Sequence, residues 1–140
     1  MNIKELGMNY RKLLVFLVLS LVSTGAMAGW TTVGKAESAK GFTVYTDKSA
    51  TQKKGNIAKM WSLFDFNAPR KTKGFRYSSY KQLVEYDCKK EQSRVIGYSL
   101  HSKNMGAGGA IYKNSKAGNW MAVRPNSVAE NLWEIACGKK

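Results

Sequence analysis

Apolar and polar residues alternate through most of the chain after residue 28, with the two-residue period of β-strands. The range 57–66 places Trp61 and Leu63 against Met60 and Phe64, so both sides carry apolar groups, as a central strand would. Short β-branched and aromatic runs between polar or glycine-bearing segments predict strands over 30–33, 42–46, 57–66, 75–88 (one long strand or two), 94–101, 110–113 and 120–123.

Loops are predicted where this alternation breaks. Three of these loops are 47–55, 67–74 and 104–109; Pro69 interrupts the second of them, and glycines dominate the third. The third loop is glycine-rich like some phosphate-binding loops, but a strand and not a helix follows it, so we interpret it as a connection between strands.

One helix is predicted near the end of the chain. Ser127 and Glu130 have the spacing of a capping box. Five residues then fall on one face at the helical period, up to about Cys137, and they are Val128, Ala129, Leu132, Ile135 and Ala136. The predicted fold class is α+β, mainly β: an antiparallel sheet of about six strands with one C-terminal helix packed on it.

Residues 1–28 have the layout of a cleavable signal peptide: charges up to Lys12, a ten-residue apolar run and a small-residue tail ending at Ala28. A membrane anchor that stays attached is the alternative, but the run is about half the roughly 20 residues that a spanning helix needs. No cysteine lies near the cleavage point to carry a lipid. We therefore expect one domain over 29–140, exported to the periplasm, the cell surface or the medium.

Cys88 and Cys137 are the only cysteines. Because export leads to an oxidising compartment, we expect them to form a disulfide, and closing that loop is worth about 4 kcal/mol in the chain-entropy model. With His101 as the only histidine, no metal site and no cofactor are expected. The scarcity of histidine and of paired carboxylates also predicts that the protein is not an enzyme. His101 is expected to be exposed or hydrogen-bonded, and the four tryptophans are expected in the core.

Charge indicates the class of partner. Without the predicted signal peptide, 20 basic and 8 acidic side chains remain, a net charge of +12. Such a field attracts polyanions, for example glycosaminoglycans, or acidic proteins; a solvated surface without a partner is the alternative, and export makes nucleic acid an unexpected partner. The candidate ligand-binding residues are cations of two predicted loops and one cation at the start of the strand that follows, with Phe75, Tyr77 and Tyr80 nearby. They are Lys53, Lys54, Arg70, Lys71, Lys73 and Arg76.

Several short segments, in order along almost all of 29–140, resemble the surface-adhesin protein E family of bacterial envelope proteins. They are Trp30, Val44-Tyr45-Thr46-Asp47, residues 58–66, Tyr77-Ser78-Ser79, Glu85-Tyr86-Asp87-Cys88 and the stretch from Val123 through Ser127 to Cys137. The resemblance implies a compact antiparallel sheet with a C-terminal helix, and a non-enzymatic role at the cell surface on host extracellular-matrix and serum proteins. It implies no ligand residues.

Two alternatives to an adhesin-like module stay open at this point. One is a periplasmic accessory or structural protein that binds a component of the cell envelope. The other is a small basic hydrolase acting on nucleic acid, for which the sequence offers few candidate bases.

Overall fold

The fold is that of a computed structural model, which describes residues 29–140. The predicted signal peptide over 1–28 lies outside the described residues. Within them the chain forms eight strands, a short 3-10 turn and one α-helix. The strands are β1 Trp30–Ala36, β2 Phe42–Asp47, β3 Gln52–Lys54, β4 Ile57–Thr72, β5 Phe75–Asp87, β6 Gln92–His101, β7 Ala110–Asn114 and β8 Met121–Ala122; the turn is Asn104–Gly106 and the helix is α1 Val128–Ala136.

All strands join one antiparallel sheet, in the order β1-β2-β4-β5-β6-β7. The short β3 pairs with the start of β4, and β2 pairs with the middle of β4 along the same side. In the same way β8 pairs with the start of β6 and β7 with its end. The predicted fold class is confirmed, with two short strands beyond the six of the main path.

The predicted loop over 67–74 is wrong, because β4 continues through it as far as Thr72. The pairing of β4 with β5 is irregular between Asp65 and Arg70, and Pro69 lies inside that irregularity, where its missing N–H removes no ladder hydrogen bond. Asn67 ties this segment to the β1–β2 connection: its N–H donates to the Gly41 carbonyl (3.0 Å) and its side-chain amide to that of Ser38 (2.7 Å).

The predicted loop over 47–55 likewise contains a strand, β3. Of the two alternatives for 75–88, one long strand or two, the structure has one continuous strand, β5.

Helix α1 packs on one face of the sheet, which we call the helix face. Ser127 caps it by accepting from the Glu130 N–H (3.1 Å), and the Glu130 carboxylate accepts from the Asn126 N–H (2.7 Å), one residue before the position a capping box uses. The core formed here includes Val44, Ala58, Met60, Val84, Tyr86, Leu132, Trp133 and Ala136.

The helix rotates slightly from the predicted face. Ala129 is exposed, and Trp133 is buried in its stead, with its indole N–H donating to the Asp87 carbonyl (3.0 Å).

The Cys88–Cys137 disulfide is present, with the Cα atoms 5.6 Å apart. Cys88 directly follows β5, and Cys137 is the C-cap of α1. The bond therefore fixes the end of the helix to the end of a central strand, as the sequence predicts. We call this part of the molecule, with α1 and the start of β4, the stapled end.

Candidate functional site

The helix covers only part of one sheet face, so two other surfaces stay accessible. One is the rest of the helix face, towards the turn that joins β4 to β5; we call this the hairpin end. The other is the opposite side of the sheet, which we call the open face.

The helix face beyond α1 is lined by aromatic rings in mutual contact. Phe64 lies 5.9 Å from Tyr80, Tyr80 lies 5.4 Å from Tyr98, and Tyr98 lies 5.9 Å from Tyr112, each measured between ring centroids. Cross-strand aromatic pairs of this kind stabilise a sheet in the absence of a second layer. The full aromatic row comprises Phe42, Phe64, Phe66, Phe75, Tyr77, Tyr80, Tyr98 and Tyr112.

Tyr80 is a neutral hydrogen-bonding group within the row. Burial, assisted by the neighbouring phenols of Tyr98 and Tyr77, raises the pKa of Tyr80 to about 12. Its hydroxyl donates to the side-chain carbonyl of Gln82 (2.9 Å). At physiological pH this part of the row therefore adds apolar area and hydroxyl groups but no negative charge.

A shallow pocket of about 340 Å³ opens at the end of the aromatic row, within the range of small ligand-binding pockets. Its walls come from β4, β5, β6 and β7. The lining residues are Thr72, Lys73, Phe75, Tyr77, Tyr80, Tyr98, Leu100 and Tyr112.

Four of the six predicted ligand-binding cations lie at the hairpin end. Lys71 and Arg76 are exposed and face each other across β4 and β5, and Lys73 occupies the turn itself. Arg70 is engaged within the protein: its guanidinium donates to the Lys40 carbonyl (2.6 Å) and lies 4.9 Å from the ring centre of Phe66. Arg70 therefore acts mainly as a clamp on the β1–β2 connection.

The other two cations, Lys53 and Lys54, lie at the stapled end. Lys53 pairs with Ala58 of β4, and its ammonium group donates to the Cys137 carbonyl (3.4 Å). Residues 58 and 70 share one strand, which at about 3.3 Å per residue places the two groups of cations roughly 40 Å apart. The six residues thus do not form one patch.

The open face carries a groove of about 560 Å³ that the sequence did not reveal. By register, Leu63, Lys81, Ser99 and Lys113 form one cross-strand row over β4 to β7. Trp61, Leu83 and Gly97 form the neighbouring row. The groove lies over these two rows except at Leu63, which is fully buried. The other lining residues of the groove are Ile96, Tyr98, His101, Ala110, Asn114 and Ser115.

His101 lies in the wall of this groove and is 9% exposed. Its Nε2 atom is 2.9 Å from the Ser99 hydroxyl oxygen, and its Nδ1 atom is 3.4 Å from the Gly108 carbonyl oxygen. A hydrolytic triad would place a carboxylate on the second nitrogen, which here meets a backbone carbonyl. The pair fixes the imidazole within the groove, and the expectation of a hydrogen-bonded histidine holds.

The expectation that the tryptophans lie in the core is wrong for three of the four. Only Trp133 is buried, at 5% exposure. Trp30 and Trp61 lie on the open face, with the Lys81 ammonium 5.7 and 5.0 Å from their ring centres. Trp120 pairs in the same way with Arg94, at 4.7 Å. The alternation of Trp61 with Met60 and Ser62 in β4 is the sequence signal that places this ring on the far face.

The described residues contain no group of three or more acidic, histidine or cysteine side chains arranged to hold a metal ion. No helix within residues 29–140 has the length and the hydrophobicity needed to cross a membrane.

Comparison with known proteins identifies the family. The family model described as "Surface-adhesin protein E" matches residues 30–138. Among solved structures, crystal form II of Haemophilus influenzae protein E superposes with a TM-score of 0.58 at 14% sequence identity, covering 69% of this chain and 80% of that chain. No curated protein gives a significant match. The match over nearly all described residues shows that the chain belongs to the surface-adhesin protein E family.

Proposed function

We propose that the protein is an exported, non-enzymatic, adhesin-like module that binds acidic segments of host extracellular-matrix or serum proteins through the hairpin end. The observation that carries this proposal is the group of three exposed cations at the hairpin end. Lys73 lines the pocket at the end of the aromatic row, and Lys71 and Arg76 lie on the same hairpin with their side chains on the side of the sheet opposite to Phe75 and Tyr77. Membership in a family of surface adhesins supports it.

The two components of the surface have separate roles in this proposal. The cations attract acidic segments and orient them, which mainly raises the association rate and sets the salt dependence. The rings of Phe75, Tyr77 and Tyr112 offer apolar area with hydroxyl groups at the edge, the composition that protein interfaces favour at their centres. A net charge of +12 over 29–140 adds a general attraction for acidic proteins.

The test is a binding titration of the protein, purified after export, on immobilised matrix and serum proteins at several salt concentrations. The variant Lys71→Gln/Lys73→Gln/Arg76→Gln removes three charges from the hairpin end. The control Lys89→Gln/Lys90→Gln/Lys116→Gln removes three exposed charges elsewhere, so net charge is matched. We expect at least a tenfold loss of affinity in the first variant and less than threefold in the control, since local charge pairs count most.

Equal losses in both variants would mean attraction by net charge alone, and no saturable binding at low salt would contradict the proposal. Stronger binding to heparin than to any protein would indicate that the partner is a polyanion and not a protein. Surface proteolysis of intact cells distinguishes a displayed adhesin from a periplasmic accessory protein. The intact mass of the exported protein tests cleavage after Ala28.

A further inference from the structure

The open-face groove lies over the side of the sheet opposite to the aromatic row and shares only Tyr98 with that row, and the proposed function does not use the groove. Its composition is unusual for the solvent side of an antiparallel sheet, which is normally polar. Trp61 and Leu83 are only partly buried there, and no helix covers them in the described residues. Partly exposed apolar residues gathered in a concavity mark a binding site more often than they mark a solvated surface.

The groove combines this apolar wall with positive charge that the protein does not neutralise. Among residues 29–140, no carboxylate lies within ion-pair distance of Lys81 or Lys113. Two other cations of the open face are paired: Arg94 contacts the Glu85 carboxylate at 2.7 Å and Lys59 contacts it at 3.6 Å. Both lysines that line the groove therefore carry a charge that no carboxylate of the described residues offsets.

The position of Lys81 is fixed by aromatic contacts. Its ammonium group lies near the ring centres of both Trp30 and Trp61, within the range of cation–π attraction. Such contacts hold a long side chain in place and leave its hydrogen-bond donors free for an anion. A ligand charge at this point would therefore meet an ordered cation beside an indole plane.

Further polar groups complete the lining. The Ser99 hydroxyl and the imidazole of His101 are joined by a hydrogen bond and both line the groove. Gly97 has no side chain, which leaves the floor between Leu83 and Ser99 open to a flat ligand. The groove thus offers an aromatic plane, hydroxyl and imidazole groups and a positive charge within one concavity.

We propose that the open-face groove binds an acidic saccharide, namely a sugar ring that carries a carboxylate. A pyranose has an apolar face of C–H groups, which suits the indole of Trp61, and a rim of hydroxyls, which suits Ser99 and Asn114. Its carboxylate would pair with Lys81, with Lys113 at the exposed margin. The groove volume falls within the range of small-ligand sites, and its open shape admits one ring of a longer chain.

The experiment is a titration of the exported protein with a hyaluronan tetrasaccharide, which contains glucuronate, followed by tryptophan fluorescence. Chitotetraose is the neutral comparison, and sodium acetate tests the carboxylate alone. We expect saturable binding of the acidic tetrasaccharide and at least tenfold weaker binding of both comparisons. Lys81→Gln should weaken binding about tenfold or more, as expected for the loss of one charge-assisted hydrogen bond.

Lys59→Gln is the matched control, because Lys59 lies on the same face outside the groove lining and Glu85 keeps Arg94 as a partner. It should change the affinity less than twofold. Ser99→Ala is a second groove variant, with an expected loss of about threefold to tenfold. The thermal unfolding temperature of each variant identifies any that fails to fold.

Three results would overturn the inference: no saturable signal with the acidic tetrasaccharide, equal binding of chitotetraose, or unchanged affinity in Lys81→Gln. The triple hairpin-end variant should keep full saccharide affinity. Failure of this site and failure of the proposed function are therefore distinguishable.

Discussion

The stapled end and the hairpin end of the same sheet are built in different ways. At the stapled end, Ala58 and Met60 of β4 are fully buried under α1, and the disulfide fixes that helix to β5. At the hairpin end, no helix of residues 29–140 covers the continuation of β4, and Phe75 and Tyr77 pack against other rings of the sheet and stay partly exposed. The difference teaches that stability is concentrated at one end, which leaves the side chains of the other available to a partner.

The sharpest way to test this comparison is to remove the disulfide. Cys88→Ser/Cys137→Ser should lower the free energy of unfolding by about 4 kcal/mol in the chain-entropy model, since 49 residues of sequence separation are released. Urea denaturation measures the change. Reduction of the unaltered protein should give a similar loss, and a variant as stable as the parent would show that the stapled end does not depend on its bond.

A core truncation at the same end should have the next largest effect. Leu132→Ala removes a side chain that is 3% exposed and packs between helix and sheet, and we expect a loss of about 3 kcal/mol. Ile111→Ala in β7 is the comparison, because Ile111 is 37% exposed and its truncation should cost less than about 1 kcal/mol. Equal losses of unfolding free energy at the two positions would contradict the inference that stability is concentrated at the stapled end.

The helix cap offers a smaller test. Ser127→Ala deprives the Glu130 N–H of its acceptor and should lower the unfolding free energy by about 1 kcal/mol. Ser127→Asn keeps an acceptor and should lie within a few tenths of a kcal/mol of the parent. Thermal unfolding measures both, and a larger loss with Asn than with Ala would show that the cap is not the cause.

The smallest effect on stability is expected at the hairpin end. Lys71→Gln changes an exposed residue and should alter the unfolding free energy by no more than about 0.5 kcal/mol. Chemical denaturation provides the measurement. A loss above 1 kcal/mol would mean that the hairpin end is structural, and the binding titration of the triple variant would then need a stability correction.

The sequence predicts the fold well because its signals are local. Alternation identifies the strands, and Ser127 with Glu130 identifies the start of the helix. The predictions are wrong where tertiary contacts outweigh local signals. Pro69 predicts a loop, but an irregularity in the pairing of β4 with β5 accommodates this proline. Asn67 also ties this part of β4 to the connection between β1 and β2.

The candidate site was less predictable, because it depends on register. Trp61, Lys81, Ser99 and Lys113 come from four strands, and only the pairing of those strands brings them together. The cations could be named from the sequence, yet their separation into two groups follows from the length of β4, whose continuation past Phe66 the sequence did not predict.

The turn that joins β4 to β5 has a consequence for how a partner would bind. Lys73 and Gly74 both have positive φ, at 47° and 82°, as a two-residue hairpin turn requires. So short a connection, with rings packed beside it, has little conformational freedom to lose when a ligand arrives. Association at the hairpin end would therefore carry a small entropic penalty, so that even a modest contact area can give a useful affinity.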